Sequence, residues 1–159
     1  MNRVRLNYLA ILAAALASFI FEAVWFSSFM NTWLSGIGKT LQSLAAQGKA
    51  AGMNEWEQYC VAFLCALICA TAISCVTQLT GTQTALRGMK VAALLWLSLV
   101  FTSHATNDIF ELRPLKLFLL YAGYGLISMV LMGAIVGGWK KKAPAALSVE
   151  AQKRETIAR

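Results

Sequence analysis

The chain has 159 residues, of which 58% are hydrophobic and 13% charged, and its formal net charge is +7. That length leaves room for one domain, and ordinary soluble proteins are roughly a quarter charged. So few polar residues cannot cover a soluble core of this size, because the charges sit in short clusters between long apolar runs. The basic excess forms no groove-reading motif, so nucleic acid is not an expected partner.

The apolar runs cover Leu6–Met30, Tyr59–Leu79, Val91–Thr106 and Leu115–Trp139. Crossing a bilayer core takes about 20 helical residues. The third run reaches that length only if the polar stretch Thr102 to Asp108 continues its helix. No run alternates with a period of two, which removes a β-barrel. A helix is the other way to satisfy every backbone group in lipid. The expectation is therefore an all-α, four-helix transmembrane bundle. Its helices fall at about 6–30, 58–79, 89–108 and 115–139, in a domain over 1–143 followed by a polar tail over 144–159.

The start of the first run imitates a signal peptide, with Arg3 and Arg5 ahead of Ala15-Leu16-Ala17 as a small-residue cleavage site. The apolar run continues past that point to Met30, which reads as a retained helix. The first loop is rich in Gly, Ser, Ala and Gln, yet Lys39 to Lys49 has the spacing of a short amphipathic, interfacial helix. In the tail, Ser148 to Ile157 has the composition of a surface helix, and its lysine suits anionic headgroups.

Basic residues set the expected orientation. Arg3, Arg5, Arg87, Lys90, Lys140, Lys141, Lys142, Lys153, Arg154 and Arg159 fall on one side, and Lys39, Lys49, Arg113 and Lys116 on the other. The 14 basic residues thus divide ten to four. The positive-inside rule puts both termini in the cytoplasm, with Trp139 and the lysines after it as the strongest stop signal.

All four cysteines, Cys60, Cys65, Cys69 and Cys75, fall on the second span. Without a CxxC pair they indicate neither zinc nor redox chemistry, and they read as small packing residues. The informative positions are ionisable groups in or beside apolar helices, where a charge costs at least ~2.5–3.5 kcal/mol on insertion scales. Glu22 lies about 16 residues into its helix, or about 24 Å. His104 lies about 14 residues beyond Lys90, or about 21 Å, with Asn107, Asp108 and Glu111 following on one broad face. Trp25 stands beside Glu22, and the fourth helix brings Tyr121 and Tyr124 to a similar depth. The expected ligand-binding set is Glu22, Trp25, His104, Asn107, Asp108, Tyr121 and Tyr124, in a polar pocket in the outer half of the bundle.

Such a set can bind a cation, relay protons or serve as an acid–base pair. Plainer readings stand beside it: Asp108, Glu111, Arg113 and Lys116 as a solvated loop with local ion pairs, His104 as a helix-to-helix hydrogen bond, and Glu22 as a hydrogen-bonded bundle residue. Glu22, His104 and Asp108 have ligand types a metal accepts, but the chain has a single histidine. No metal is expected, and no cofactor is named by the residues.

Two segments carry a family resemblance. Asn7-Tyr8-Leu9-Ala10, running on to Trp25-Phe26-Ser27 and Trp33, is one. The other is Glu111-Leu112-Arg113-Pro114 with Tyr121-Ala122-Gly123-Tyr124, Leu131-Met132-Gly133-Ala134-Ile135 and Trp139. Both resemble the bacterial membrane proteins grouped as domain of unknown function 1761. That resemblance implies four helices and a multi-pass protein of a bacterial inner membrane. It implies no activity. The family pattern has a small residue, often glycine, where this chain has Glu22.

The favoured function is binding of a small molecule or cation in the outer-half pocket. Alternatives are a proton-coupled transporter acting as a dimer through the glycines of the fourth helix, a membrane enzyme on a lipid-soluble substrate, and an accessory subunit of a larger membrane complex. No nucleophile elbow, phosphate loop or zinc motif supports the enzyme.

Overall fold

The computed structural model describes residues 4–52, 54–81 and 83–140. Arg3, the basic cluster at Lys141 and Lys142, and the tail with its Ser148 to Ile157 segment lie outside the described residues.

The described chain is all-helical. Helix α1 (Tyr8–Ser28) starts at Asn7, whose side chain accepts from the Ala10 N–H at 3.4 Å. A break at Phe29 separates it from the short α2 (Met30–Gly36). Helix α3 (Leu41–Ala50) is closed by reciprocal Thr40 and Ser43 hydrogen bonds and occupies the place expected for the interfacial helix. Helix α4 (Glu55–Leu79) begins a few residues before the expected start. There, Glu57 accepts from the Asn54 backbone N–H at 3.0 Å, which satisfies an otherwise unpaired donor.

The third span is continuous from Ala85 to Phe110. It consists of α5 (Ala85–Leu95), a π-helical stretch over Trp96–Phe101, and α6 (Thr102–Phe110). Thr84 caps it at 3.2 Å from the Arg87 N–H, so it starts earlier than the apolar run suggests. The polar stretch from Thr102 continues the helix as required. Thr102 and Thr106 turn their hydroxyls back to carbonyls one turn earlier, at 2.7 and 2.9 Å, which lets them sit in an apolar setting. Leu112, at a left-handed φ of 51°, reverses the chain into α7 (Leu115–Gly138).

Four spans, α1, α4, the α5–α6 rod and α7, are long and apolar enough to cross a membrane. Much of their surface is apolar and uncovered, including Leu16, Ile20, Val24, Leu64, Ile68, Leu94, Leu97 and Leu119. Only lipid accommodates that surface. The start of α1 and the end of α7 lie at the same end of the bundle, where the Asn7 side chain donates to the Trp139 carbonyl at 3.2 Å. This is the termini end; α2 and α3 mark the opposite end.

Helix α7 is the hub and touches α1, α4 and α5, with α5 packed closest. In lipid, helix association depends on close packing more than on apolar burial, and small residues permit that approach. Accordingly, Ala10, Ala14, Ala15 and Ser18 line the buried stripe of α1, and Ala66, Ala70 and Ser74 that of α4. Gly88 and Gly133 meet backbone to backbone: a Cβ on either would collide with the other's carbonyl. Gly137 likewise faces Gly88 and Thr84, Gly138 faces Ala85, and Gly123 faces Trp25. The glycines expected to offer a dimer face are therefore spent within the chain, because α5 and the Trp25 ring already occupy them.

Ile11, Ala14, Ala70, Ile73, Ala92, Trp96, Met129, Met132 and Val136 form one apolar core. It fills the termini half of the bundle. The polar site lies beyond it, toward α2.

Candidate functional site

Glu22 is half-buried on α1. The phenol of Tyr124 on α7 lies against the Glu22 carboxylate on one side and the Ser128 hydroxyl on the other. Ser128 in turn shares a buried 2.6 Å hydrogen bond with Ser18, one turn below Glu22 on α1. Glu22, Tyr124, Ser128 and Ser18 thus form a polar ladder across the α1–α7 interface. Every member points inward because α1 presents Ser18 and Glu22 at i and i+4, and α7 presents Tyr124 and Ser128 at the same spacing.

Two cavities meet at Glu22. The inner one, about 260 Å³, lies between α1, α4 and α7, with Cys65, Ala66 and Cys69 on its α4 wall and Val100 beside them. Met129 and Met132 line it too and belong to the apolar core, which closes the cavity toward the termini end. The outer one, about 430 Å³, is bounded by Phe19, Glu22 and Phe26 of α1, Met30 and Trp33 around α2, and Glu55, Gln58 and Tyr59 of α4. Both include Glu22 and Ala62, so the carboxylate stands at the junction. Among the described residues, no lysine or arginine lines either cavity.

The expected residues separate into three groups. Glu22 and Tyr124 come together. Tyr121 belongs to a second group: its hydroxyl accepts from Trp33 Nε1 at 2.8 Å. The His104 ring lies parallel to the Tyr121 ring, with centroids 6.1 Å apart and planes 13° apart. His104 itself is exposed and lines neither Glu22 cavity. The two groups connect through Phe26, which packs on both Tyr121 and Tyr124, and through Trp33, which lines the outer cavity and bonds Tyr121.

Asp108 forms the third group, with Arg113 and Glu111. It is buried, with Arg113 Nε at 3.7 Å from one carboxylate oxygen and, among the described residues, no hydrogen-bond partner for the other. Arg113 is held more closely by Glu111, at 2.5 Å, and that hydrogen bond raises the guanidinium above its ordinary range. Asp108 and Arg113 border a separate cavity of about 600 Å³ whose remaining lining is apolar, including Ile109, Leu112 and Leu115, which are largely exposed. Asn107 is exposed nearby. Trp25 turns away from Glu22: it packs on Phe21, Phe29 and Gly123 and borders a different cavity with Lys116. Among the described residues, no group of three His, Cys, Asp or Glu side chains is placed to hold a metal ion.

Several residues of the Glu22 site escaped the sequence reading. Ser18 and Ser128 are common residue types in apolar helices and carry no depth or facing signal. Phe19, Trp33, Tyr59 and Glu55 come from three separate elements. Cys65, read as packing, lines the inner cavity.

Four apolar spans around an interior carboxylate define a multi-pass integral membrane protein. The family described as protein of unknown function (DUF1761) matches residues 9–137, and the chain belongs to it. No curated protein and no solved structure matches the chain.

Proposed function

We propose that this integral membrane protein binds a small molecule or cation at Glu22, entering from the end of the bundle that carries α2 and α3. One observation carries the reading: a carboxylate in an otherwise apolar span stands where two cavities join, with an apolar floor beneath it. A charged group at that depth is costly and is retained where it pairs with something. An apolar floor toward the termini end suits a binder better than a channel. The termini are assigned to the cytoplasm on the ten-to-four division of basic residues, and the protein to a bacterial inner membrane on its family resemblance. Glu22 then faces the outer half. A dimer or a larger membrane complex is compatible with this reading.

The test is a structure of the purified protein in lipid nanodiscs, searched for non-protein density at Glu22. Density running from Glu55 to the Glu22 carboxylate supports the proposal. A collapsed site, with Glu22 bonded only to neighbouring helices, overturns it in favour of a subunit or structural role. Labelling of single cysteines placed after Lys140 and in α3, from either side of the membrane, checks the orientation.

A further inference from the structure

From the walls of the outer cavity we infer that its ligand is an organic cation with an apolar body. The inference deepens the binding reading above and rests on it. Two kinds of group converge on this cavity. Glu22 and, at the start of α4, Glu55 both line it, together with the aromatic rings of Phe19, Phe26, Trp33 and Tyr59. The rings form two braced pairs. Phe19 meets Tyr59 edge-on across the α1–α4 interface, with centroids 6.3 Å apart, and Phe26 meets Trp33 edge-on at 5.9 Å. Trp33 is held further by its hydrogen bond to Tyr121, so its ring is positioned before any ligand arrives.

Aromatic faces attract cations through the ring quadrupole, and the attraction grows when water is excluded. Carboxylates add a net negative potential. Among the described residues neither Glu22 nor Glu55 is in an ion pair, and no basic side chain lines the cavity. Lys49 borders a neighbouring cavity with Glu55 but does not reach this one. An anion meets only repulsion here, in a protein whose overall charge is +7. A bare inorganic cation finds a single carboxylate at Glu22, with only neutral groups such as the Tyr124 hydroxyl beside it to replace its water shell. A tertiary or quaternary ammonium on an apolar body uses every wall: the charge lies over the rings near Glu22, and the body fills the apolar space toward Ala62.

Benzyltrimethylammonium and its uncharged carbon isostere, neopentylbenzene, isolate the charge. Binding of each is measured by titration calorimetry on the full chain in lipid nanodiscs, against empty nanodiscs. The expected result is saturable binding of the cation and at least about tenfold weaker binding of the isostere. Glu22→Gln should weaken the cation by about tenfold or more, and Glu55→Gln by a smaller factor, about twofold to fivefold. Glu55 is exposed at the start of α4, so its variant tests the charge even where Glu22→Gln fails to fold. Equal, Glu22-independent binding of both compounds overturns the cation class while leaving a pocket. Saturable binding of neither compound, with nanodisc density still present at Glu22, overturns the class and leaves the site reading intact. Absence of both binding and density sinks the two together.

Discussion

Ser18 and Ser128 share a buried hydrogen bond of 2.6 Å that ties α1 to α7 directly beneath Glu22 and Tyr124. In lipid such interhelical bonds average only about 0.6 kcal/mol and reach about 1.7, because the separated helices find other partners. Ser18→Ala and Ser128→Ala are each expected to destabilise the bundle within that range. The double variant should cost less than the sum, since it leaves no hydroxyl unpaired. Reversible unfolding in mixed micelles measures all three. Strict additivity of the two single changes speaks against the bond.

The α5–α7 contact makes a sharper demand. A Cβ on Gly133 meets the Gly88 backbone and comes within 2.8 Å of the Ala92 Cβ, whereas one on Gly123 meets only Trp25, at 3.4 Å. Gly133→Ala should therefore destabilise the fold by about 1–3 kcal/mol, as overpacking does. Gly123→Ala should be close to neutral. Thermal unfolding of the detergent-solubilised variants gives the order, and the reverse order contradicts the packing.

At the α6–α7 turn, Arg113 is the cation nearest buried Asp108, and Glu111 competes for it. Arg113→Gln leaves the Asp108 carboxylate without a counter-charge, so it should lower the melting temperature. Adding Asp108→Asn should restore most of that loss, because the buried charge goes with it. Glu111→Gln should change little, since its side chain is exposed. Failure of Asp108→Asn to rescue Arg113→Gln means that the pair does not carry the effect.

Cys65 is exposed and lines the inner cavity, while Cys69 is half-buried on the same wall. In single-cysteine variants, Cys65 should react with a small maleimide at least several-fold faster than Cys69. Benzyltrimethylammonium should slow the Cys65 reaction if the two cavities communicate past Glu22. Labelling read by intact-protein mass spectrometry decides this. No slowing at either cysteine at saturating cation disconnects the inner cavity from the outer one.

Much of the architecture is written in the one-dimensional pattern. Apolar length and the basic residues between runs fix four spans. The depth of Glu22 and of Tyr124 follows from a rise of 1.5 Å per residue, which brought both to one level. Depth also gathered His104, Asp108 and Trp25 to that level, yet each turns elsewhere.

The missing quantity was rotation about each helix axis. In a soluble helix, one apolar stripe announces which face is buried. In lipid, an apolar residue is equally at home against a neighbour or against a hydrocarbon tail, so α1, α4 and α7 are apolar all round and carry no such stripe. Their facing is decided by where helices can come close: Gly88 on Gly133, Ala14 and Ala70 in the core, Ser18 on Ser128. That close packing set Glu22 at the junction of two cavities and left His104 outside them. Length and hydropathy determined that the chain crosses a membrane four times; only the tertiary fit of small residues decided which polar groups meet.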